Sequence, residues 1–152
     1  MKDLRDRADV EQLIVAFYRA AFEDSLIGPV FTDVAKLDLN HHLPIMCDFW
    51  ETVLFNADLY RRNALQAHFV LHARHPLGAE HFDRWLALWS TTLDDLFAGP
   101  VAERAKLQAH RIAGSMLRRI SGRSGSAFEN LTHRENEERA NVESITRTHP
   151  RV

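Results

Sequence analysis

Apolar residues recur at helical spacing through most of the chain, and no segment shows the period-two alternation of a half-buried strand. Well-formed apolar stripes predict four helices, over residues 9–23, 39–55, 79–97 and 101–120. A looser segment, 59–72, is only partly helical in its pattern. The sequence therefore predicts an all-α fold.

Capping residues and breakers indicate where the first two helices begin. Asp9 is a plausible N-cap for the first helix, with Gln12 three residues further on. Asp38 or Asn40 can cap the second helix. Pro44 fits that helix only if it falls in the first turn, where a missing backbone N–H costs nothing. We therefore expect the second helix to begin just before Pro44.

The composition changes after residue 121. The segment 121–126 reads SGRSGS, and residues 130–152 are polar and highly charged with few aromatic side chains. Such a segment has too little apolar surface to offset the entropy lost on ordering. The sequence therefore predicts a globular domain over residues 1–121 and a flexible polar tail over residues 122–152.

Composition and charge exclude several classes of protein. A net charge of −2 and a pI near 6.5 argue against a dedicated nucleic-acid binder. No stretch approaches the roughly 20 apolar residues of a membrane span, and the chain does not begin like a signal peptide. Cys47 is the only cysteine, which excludes an internal disulfide and suits a reducing cytoplasm. We expect a cytoplasmic protein.

Nine histidines are many for a chain of 152 residues, so the histidines are the natural candidates for metal ligands. His68, His72 and His75 could in principle share a zinc ion, since the first two are one helical turn apart. No carboxylate or cysteine stands beside them at ligand spacing, and Pro76 soon ends the segment. A zinc site there is the weaker alternative, and solvated histidines are the ordinary explanation.

Four polar side chains lie on otherwise apolar helical faces: Tyr18, His42, His68 and Trp85. Each alone is more often a satisfied core residue than part of a site, and buried Tyr18 should find a hydrogen-bond partner inside. As a set they could line one cavity. Tyr18, His42 and Trp85 would face it from three helices, and His68 would face it from the short segment 59–72. A flat hydrophobic iron cofactor held by a neutral imidazole would account for all four. The absence of C-x-x-C-H excludes covalent c-type haem.

The chain resembles the group III truncated haemoglobins, which are globins with a two-over-two helical sandwich. The matching features extend over residues 9–120 and include two distinctive runs, H-L-P-x-M-x-D-F-W and H-F-x-R-W-L. The matching residues are Phe17, Tyr18, residues 27–31, residues 42–44, 46 and 48–50, Tyr60, His68 and residues 81–86. The polar tail has no counterpart in this resemblance.

The resemblance implies a role for each matching residue. His68 would be the proximal ligand to the iron of non-covalent haem b, while Tyr18 and Trp85 would be distal hydrogen-bond donors. His42 would be the distal histidine, which in this group can act as a gate. Five further matches would line the haem pocket: Phe31, Leu43, Met46, Phe49 and Trp50.

The expected function follows from this set of donors. Several donors facing one ligand favour tight dioxygen binding and peroxide or nitric oxide chemistry over oxygen transport. Carbon monoxide would be a further ligand, and a reductase would be needed as partner. One alternative is a haem-based gas or redox sensor that uses the tail to bind a partner. Another is a structural helical protein without a cofactor.

Overall fold

The computed structural model describes residues 1–60 and 64–124, apart from the side chains of residues 65, 123 and 124. Over these ranges the chain forms five α-helices and contains no strand, which confirms the all-α prediction. The helices are α1 (Arg7–Glu23), α2 (Leu39–Phe55), α3 (Ala64–Arg74), α4 (Ala79–Leu96) and α5 (Pro100–Ser124). No described helix is both long and apolar enough to cross a membrane.

The helices pack in pairs around one hydrophobic core. Helix α1 packs on α2 and on α4, and α4 packs along α5. Leu13 from α1, Leu93 from α4 and Ala105 from α5 are fully buried where these helices meet. Helix α3 packs mainly against α5.

The start of α1 differs from the prediction. Asp6, and not Asp9, is the N-cap, because the Asp6 carboxylate accepts the backbone N–H of Asp9 at 3.1 Å. Asp9 is buried inside the helix, where its carboxylate pairs with the Lys2 ammonium and accepts the backbone N–H of Arg5 at 2.9 Å. A contact from the preceding segment, which helical periodicity does not reveal, therefore decides the role of Asp9.

The expected position of Pro44 in the first turn of α2 is wrong. Asp38 caps the helix by accepting the backbone N–H of Asn40 at 3.1 Å, so Pro44 lies in the second turn. Proline has no N–H to donate, which leaves the Asn40 carbonyl without its helical partner. Asn40 and Pro44 are both exposed, so water can satisfy that carbonyl.

The connection between α1 and α2 begins with a close backbone approach at Gly28. A Cβ atom at Gly28 would lie 2.6 Å from the carbonyl oxygen of Phe22, so only glycine fits. The chain then forms one π-helical turn, Val30–Val34. This turn places the Phe31 ring against Tyr18 of α1, with ring centroids 5.6 Å apart.

Helix α5 extends beyond its predicted end at residue 120 and continues to Ser124. The first residues of the predicted tail therefore belong to this helix. The rest of the predicted tail, residues 125–152, lies outside the described residues.

The N-terminal segment supplies a cap for α5 from outside that helix. The Asp3 carboxylate accepts the backbone N–H groups of Val101 and Ala102, each at 2.9 Å. Gly99 allows this approach, because its φ is +142° and a Cβ there would lie 2.5 Å from the Asp3 carboxyl carbon. Burial acts to raise the pKa of Asp3, but these N–H groups outweigh it and hold the pKa below its usual value.

We expect Asp3→Ala to destabilise the protein by about 1–2 kcal/mol at neutral pH, which is the usual effect of losing a helix cap. Because the folded-state pKa of Asp3 is lowered, its contribution is complete above the unfolded value of about 3.9 and is lost as pH falls through the folded-state pKa. Urea unfolding of both proteins at neutral pH and at about pH 3 measures this. The exposed Asp33→Ala is the control, and an equal Asp3→Ala effect at both pH values would contradict the prediction.

Candidate functional site

Tyr18 is the centre of a cluster of rings contributed by α1, the connection after it, and α2. Its ring centroid lies 5.6 Å from that of Phe22, 5.6 Å from that of Phe31 and 6.1 Å from that of His42. Phe22, Phe31 and His42 are only partly buried, while Tyr18 is 6% exposed. We call these four residues the Tyr18 cluster. Two of the predicted site residues, Tyr18 and His42, therefore lie side by side.

The Tyr18 hydroxyl does not have the internal partner that the sequence predicts. Within residues 1–60 and 64–124 no group hydrogen-bonds to it, and burial alone raises the pKa of Tyr18 well above its usual value. The phenol therefore stays protonated at neutral pH. Its O–H is a buried donor that is available to a ligand.

Trp85 reaches the same region from α4. Phe17 lies between them, with its ring centroid 5.2 Å from that of Tyr18 and 6.0 Å from that of Trp85. Trp85 is partly buried at the edge of the core, as are Leu43 and Met46 of α2. Phe17 therefore links the Tyr18 ring of α1 to the partly buried Trp85 of α4.

Phe49 and Trp50, which the resemblance assigns to the haem pocket, are buried deeper in the core. Trp50 stacks on Trp89 of α4 at 4.5 Å between ring centroids. Phe49 packs edge-on against Tyr60 at 5.1 Å. Phe49 is 6% and Trp50 is 3% exposed, so both belong to the hydrophobic core.

His68 lies on α3, and its ring orientation is fixed by a backbone contact. Its Nδ1 lies 2.7 Å from the carbonyl oxygen of Ala64, one turn earlier. Because a carbonyl oxygen can only accept, Nδ1 carries the proton and donates, and in the neutral ring Nε2 keeps a free lone pair. Desolvation lowers the pKa of His68, against the smaller effect of the Ala64 bond, and so favours this neutral form.

The histidines of the zinc alternative do not form a metal site in the described part of the chain. His72 Nδ1 accepts the backbone N–H of Leu77 at 2.8 Å, which uses that nitrogen in the turn after α3. No group of three or more His, Cys, Asp or Glu side chains that could hold a metal ion occurs among the described residues. The zinc alternative therefore lacks its ligand set there.

Two contributors to the site were not predicted, although helical spacing points to both. Phe22 follows Tyr18 by four residues and packs on its ring. Ala64 precedes His68 by four residues and supplies the carbonyl that orients the imidazole. A search for the i±4 neighbours of each candidate residue would have found them.

Thr52 provides a comparison for the Tyr18 hydroxyl, because its own hydroxyl is buried and saturated. It donates to the Asp48 carbonyl at 2.7 Å and accepts the backbone N–H groups of Leu59 at 3.0 Å and Tyr60 at 3.1 Å. Thr52 therefore fixes the chain as it leaves α2 toward α3.

We expect Tyr18→Phe to change the stability of the protein by less than about 1 kcal/mol, because the hydroxyl has no partner to lose among the described residues. Thr52→Val should instead destabilise by about 1–3 kcal/mol, because it leaves buried N–H groups without an acceptor. Urea unfolding of the two variants and the parent protein measures both effects. Equal losses would show that the Tyr18 hydroxyl is structural.

Comparison with protein-family models, curated proteins and solved structures finds no match to this chain. Its function therefore has to be argued from the residues and the geometry of the site.

Proposed function

We propose that the chain is a haem-binding globin of the truncated, two-over-two kind that resembles group III. In this proposal His68 holds the iron of a non-covalent haem b, and Tyr18, His42 and Trp85 face its ligand. The observation that carries the proposal is the 2.7 Å hydrogen bond from His68 Nδ1 to the Ala64 carbonyl. It leaves Nε2 of a partly buried neutral imidazole as a ready metal ligand.

A flat apolar cofactor held by His68 would also need apolar side chains from helices other than α3. The histidine is carried by α3, which packs mainly against α5, whereas Trp85 lies on α4 and the Tyr18 cluster lies on α1, α2 and the connection between them. Partly buried apolar side chains pack at the edge of the core, among them Phe31, Leu43 and Met46. A porphyrin bound against these side chains would cover them and would gain the free energy of their burial.

The packing of the helices is compatible with a two-over-two sandwich. Helices α1 and α2 form one closely packed pair, α4 and α5 form the other, and α1 contacts α4 between the pairs. This pairing, together with the sequence resemblance, supports the globin arrangement in the proposal.

Haem supplies an iron with one position open to dioxygen, carbon monoxide, nitric oxide or peroxide. The side chains around the iron would then determine how tightly a ligand binds and how it reacts. The Tyr18 phenol, protonated at neutral pH, and the Trp85 indole N–H are donors for a ligand that carries partial negative charge. Such donors favour tight dioxygen binding and also polarise an O–O bond. The proposed activity is therefore peroxide or nitric oxide chemistry, with an unidentified reductase as partner.

A haemin titration of the purified protein tests the proposal. We expect saturation at one haem per chain, histidine-ligated spectra in the oxidised, reduced and carbon monoxide forms, and complete extraction of the haem by acidified ketone. A spectrum that stays that of free haemin would overturn the proposal and favour the structural protein without a cofactor.

The sensor alternative depends on the predicted tail, most of which lies outside the described residues. It stays a sequence-based prediction. Removing residues 125–152 and comparing the haem spectra and partner capture of the two proteins would test it.

A further inference from the structure

All three tryptophans of the 152-residue chain lie in one stack. The rings of Trp85 and Trp89 are 5.8 Å apart between centroids, with 9° between their planes. The rings of Trp89 and Trp50 are 4.5 Å apart, with 26° between their planes. The stack crosses from α4 to α2 through the middle of the core.

The two ends of the stack differ in their exposure. Trp85 is partly buried at the rim beside the Tyr18 cluster, whereas Trp89 is 1% and Trp50 is 3% exposed. The middle ring is held in place, because Trp89 Nε1–H donates to the Ala105 carbonyl at 3.2 Å. The stack therefore joins the candidate site to the dry interior through rings of fixed orientation.

Aromatic contacts continue from Trp50 to a tyrosine. The Phe49 ring lies 5.3 Å from Trp50 and 5.1 Å from Tyr60 between centroids. Tyr60 is 3% exposed and lies in the connection between α2 and α3. A buried phenol thus lies two ring contacts beyond the stacked indoles.

Packing alone does not explain why these core positions carry tryptophan and tyrosine. Leucine and phenylalanine fill a core equally well, and tryptophan also needs a partner for its N–H. Indole and phenol differ from these side chains in that a one-electron oxidant can remove an electron from them. The placement of every tryptophan in one line leading from the site to a tyrosine points to movement of electrons.

We propose that Trp85, Trp89 and Trp50 form a path along which Tyr60 supplies one electron to an oxidant at the candidate site. The identity of the physiological oxidant, a peroxide acting through bound haem, rests on the function proposed above. The path itself belongs to the polypeptide and does not depend on the cofactor.

Electrons and protons are both conserved when the transfer occurs in the haem-free protein. A one-electron oxidant takes an electron from the Trp85 indole, whose N–H proton passes to water at the rim. Electrons then move from Trp89 to Trp85, from Trp50 to Trp89, and from Tyr60 past Phe49 to Trp50. Tyr60 loses its hydroxyl proton to solvent at the connection after α2, where the adjacent Leu59 is 43% exposed, and Trp85 recovers a proton from water. The net change is reduction of the oxidant and conversion of Tyr60 to a phenoxyl radical.

Pulse radiolysis with the azide radical tests the path in the full-length chain without haem. The azide radical oxidises indoles by one electron, and Trp85 is the accessible member of the stack. We expect the tryptophanyl absorption to decay at the rate at which the tyrosyl absorption rises. That rate should not depend on protein concentration, because the transfer occurs within one molecule.

Variants identify the path and its end. Trp89→Phe should form the tryptophanyl radical normally but lose the tyrosyl absorption, and Tyr60→Phe should lose it too. The chain has one other tyrosine, so Tyr18→Phe is the matched control and should keep the absorption.

Two results would overturn the path: an unchanged tyrosyl signal in Trp89→Phe, or its persistence in Tyr60→Phe. The second variant keeps the test decisive if the first does not fold. Because no haem is present, failure here would leave the haemin titration as the separate test of the proposed function.

Discussion

His68→Ala is expected to lose stable haem binding while the helical fold is retained. His68 is the only protein ligand to the iron in the proposed function, and its ring is oriented by the 2.7 Å bond to Ala64. Losing a residue that merely orients a metal ligand typically weakens binding by about 10–100-fold, so loss of the ligand itself should exceed that. Haemin titration followed by absorption spectroscopy measures the effect, and added imidazole should restore a histidine-like spectrum.

The chain provides a matched control for this variant. His110 on α5 makes the same kind of bond, from Nδ1 to the carbonyl of Lys106 at 2.9 Å, but its side chain is exposed. His110→Ala should therefore bind haem like the parent protein. If His68→Ala kept its haem with an unchanged spectrum, another residue would have to be the iron ligand.

Much of the fold can be predicted from the sequence, because long apolar stripes determine which helices form. In α4 the predicted stripe includes Phe82, Trp89 and Leu93, and all three are buried. The ends of the helices are less predictable, because a capping carboxylate has several possible uses. Asp9 looks like a cap in the sequence but is held by Lys2, a contact that depends on how the N-terminal segment folds back.

The candidate site is predictable only where a residue is unusual in its own helix. Tyr18 and His42 stand out as polar groups on apolar faces, and the structure places their rings 6.1 Å apart. The partners of such residues are ordinary, and their contacts arise between elements. The stack of Trp50 on Trp89 joins α2 to α4 across 39 positions of sequence, and no local pattern reports it.

Under the proposed function, the release of dioxygen from the haem-loaded protein depends on the Tyr18 and Trp85 donors. Tyr18→Phe and Trp85→Phe should each accelerate release by about ten- to a hundredfold, because a hydrogen bond involving a charged group contributes about 1.5–3 kcal/mol. Carbon monoxide carries less charge as a ligand, so its release should change less. Stopped-flow measurement of both ligands in each variant separates a lost hydrogen bond from a general loosening of the pocket.

Phe22→Leu is the control for shape, because Phe22 packs on the Tyr18 ring but has no donor to lose. If this variant released dioxygen as fast as Tyr18→Phe, pocket shape and not hydrogen bonding would set the rate. The double variant of Tyr18 and Trp85 is informative as well. Phe17 contacts both rings, at 5.2 Å and 6.0 Å between centroids. Since residues that share a partner usually couple, the combined effect should fall short of the sum of the two single effects on the free energy of ligand release.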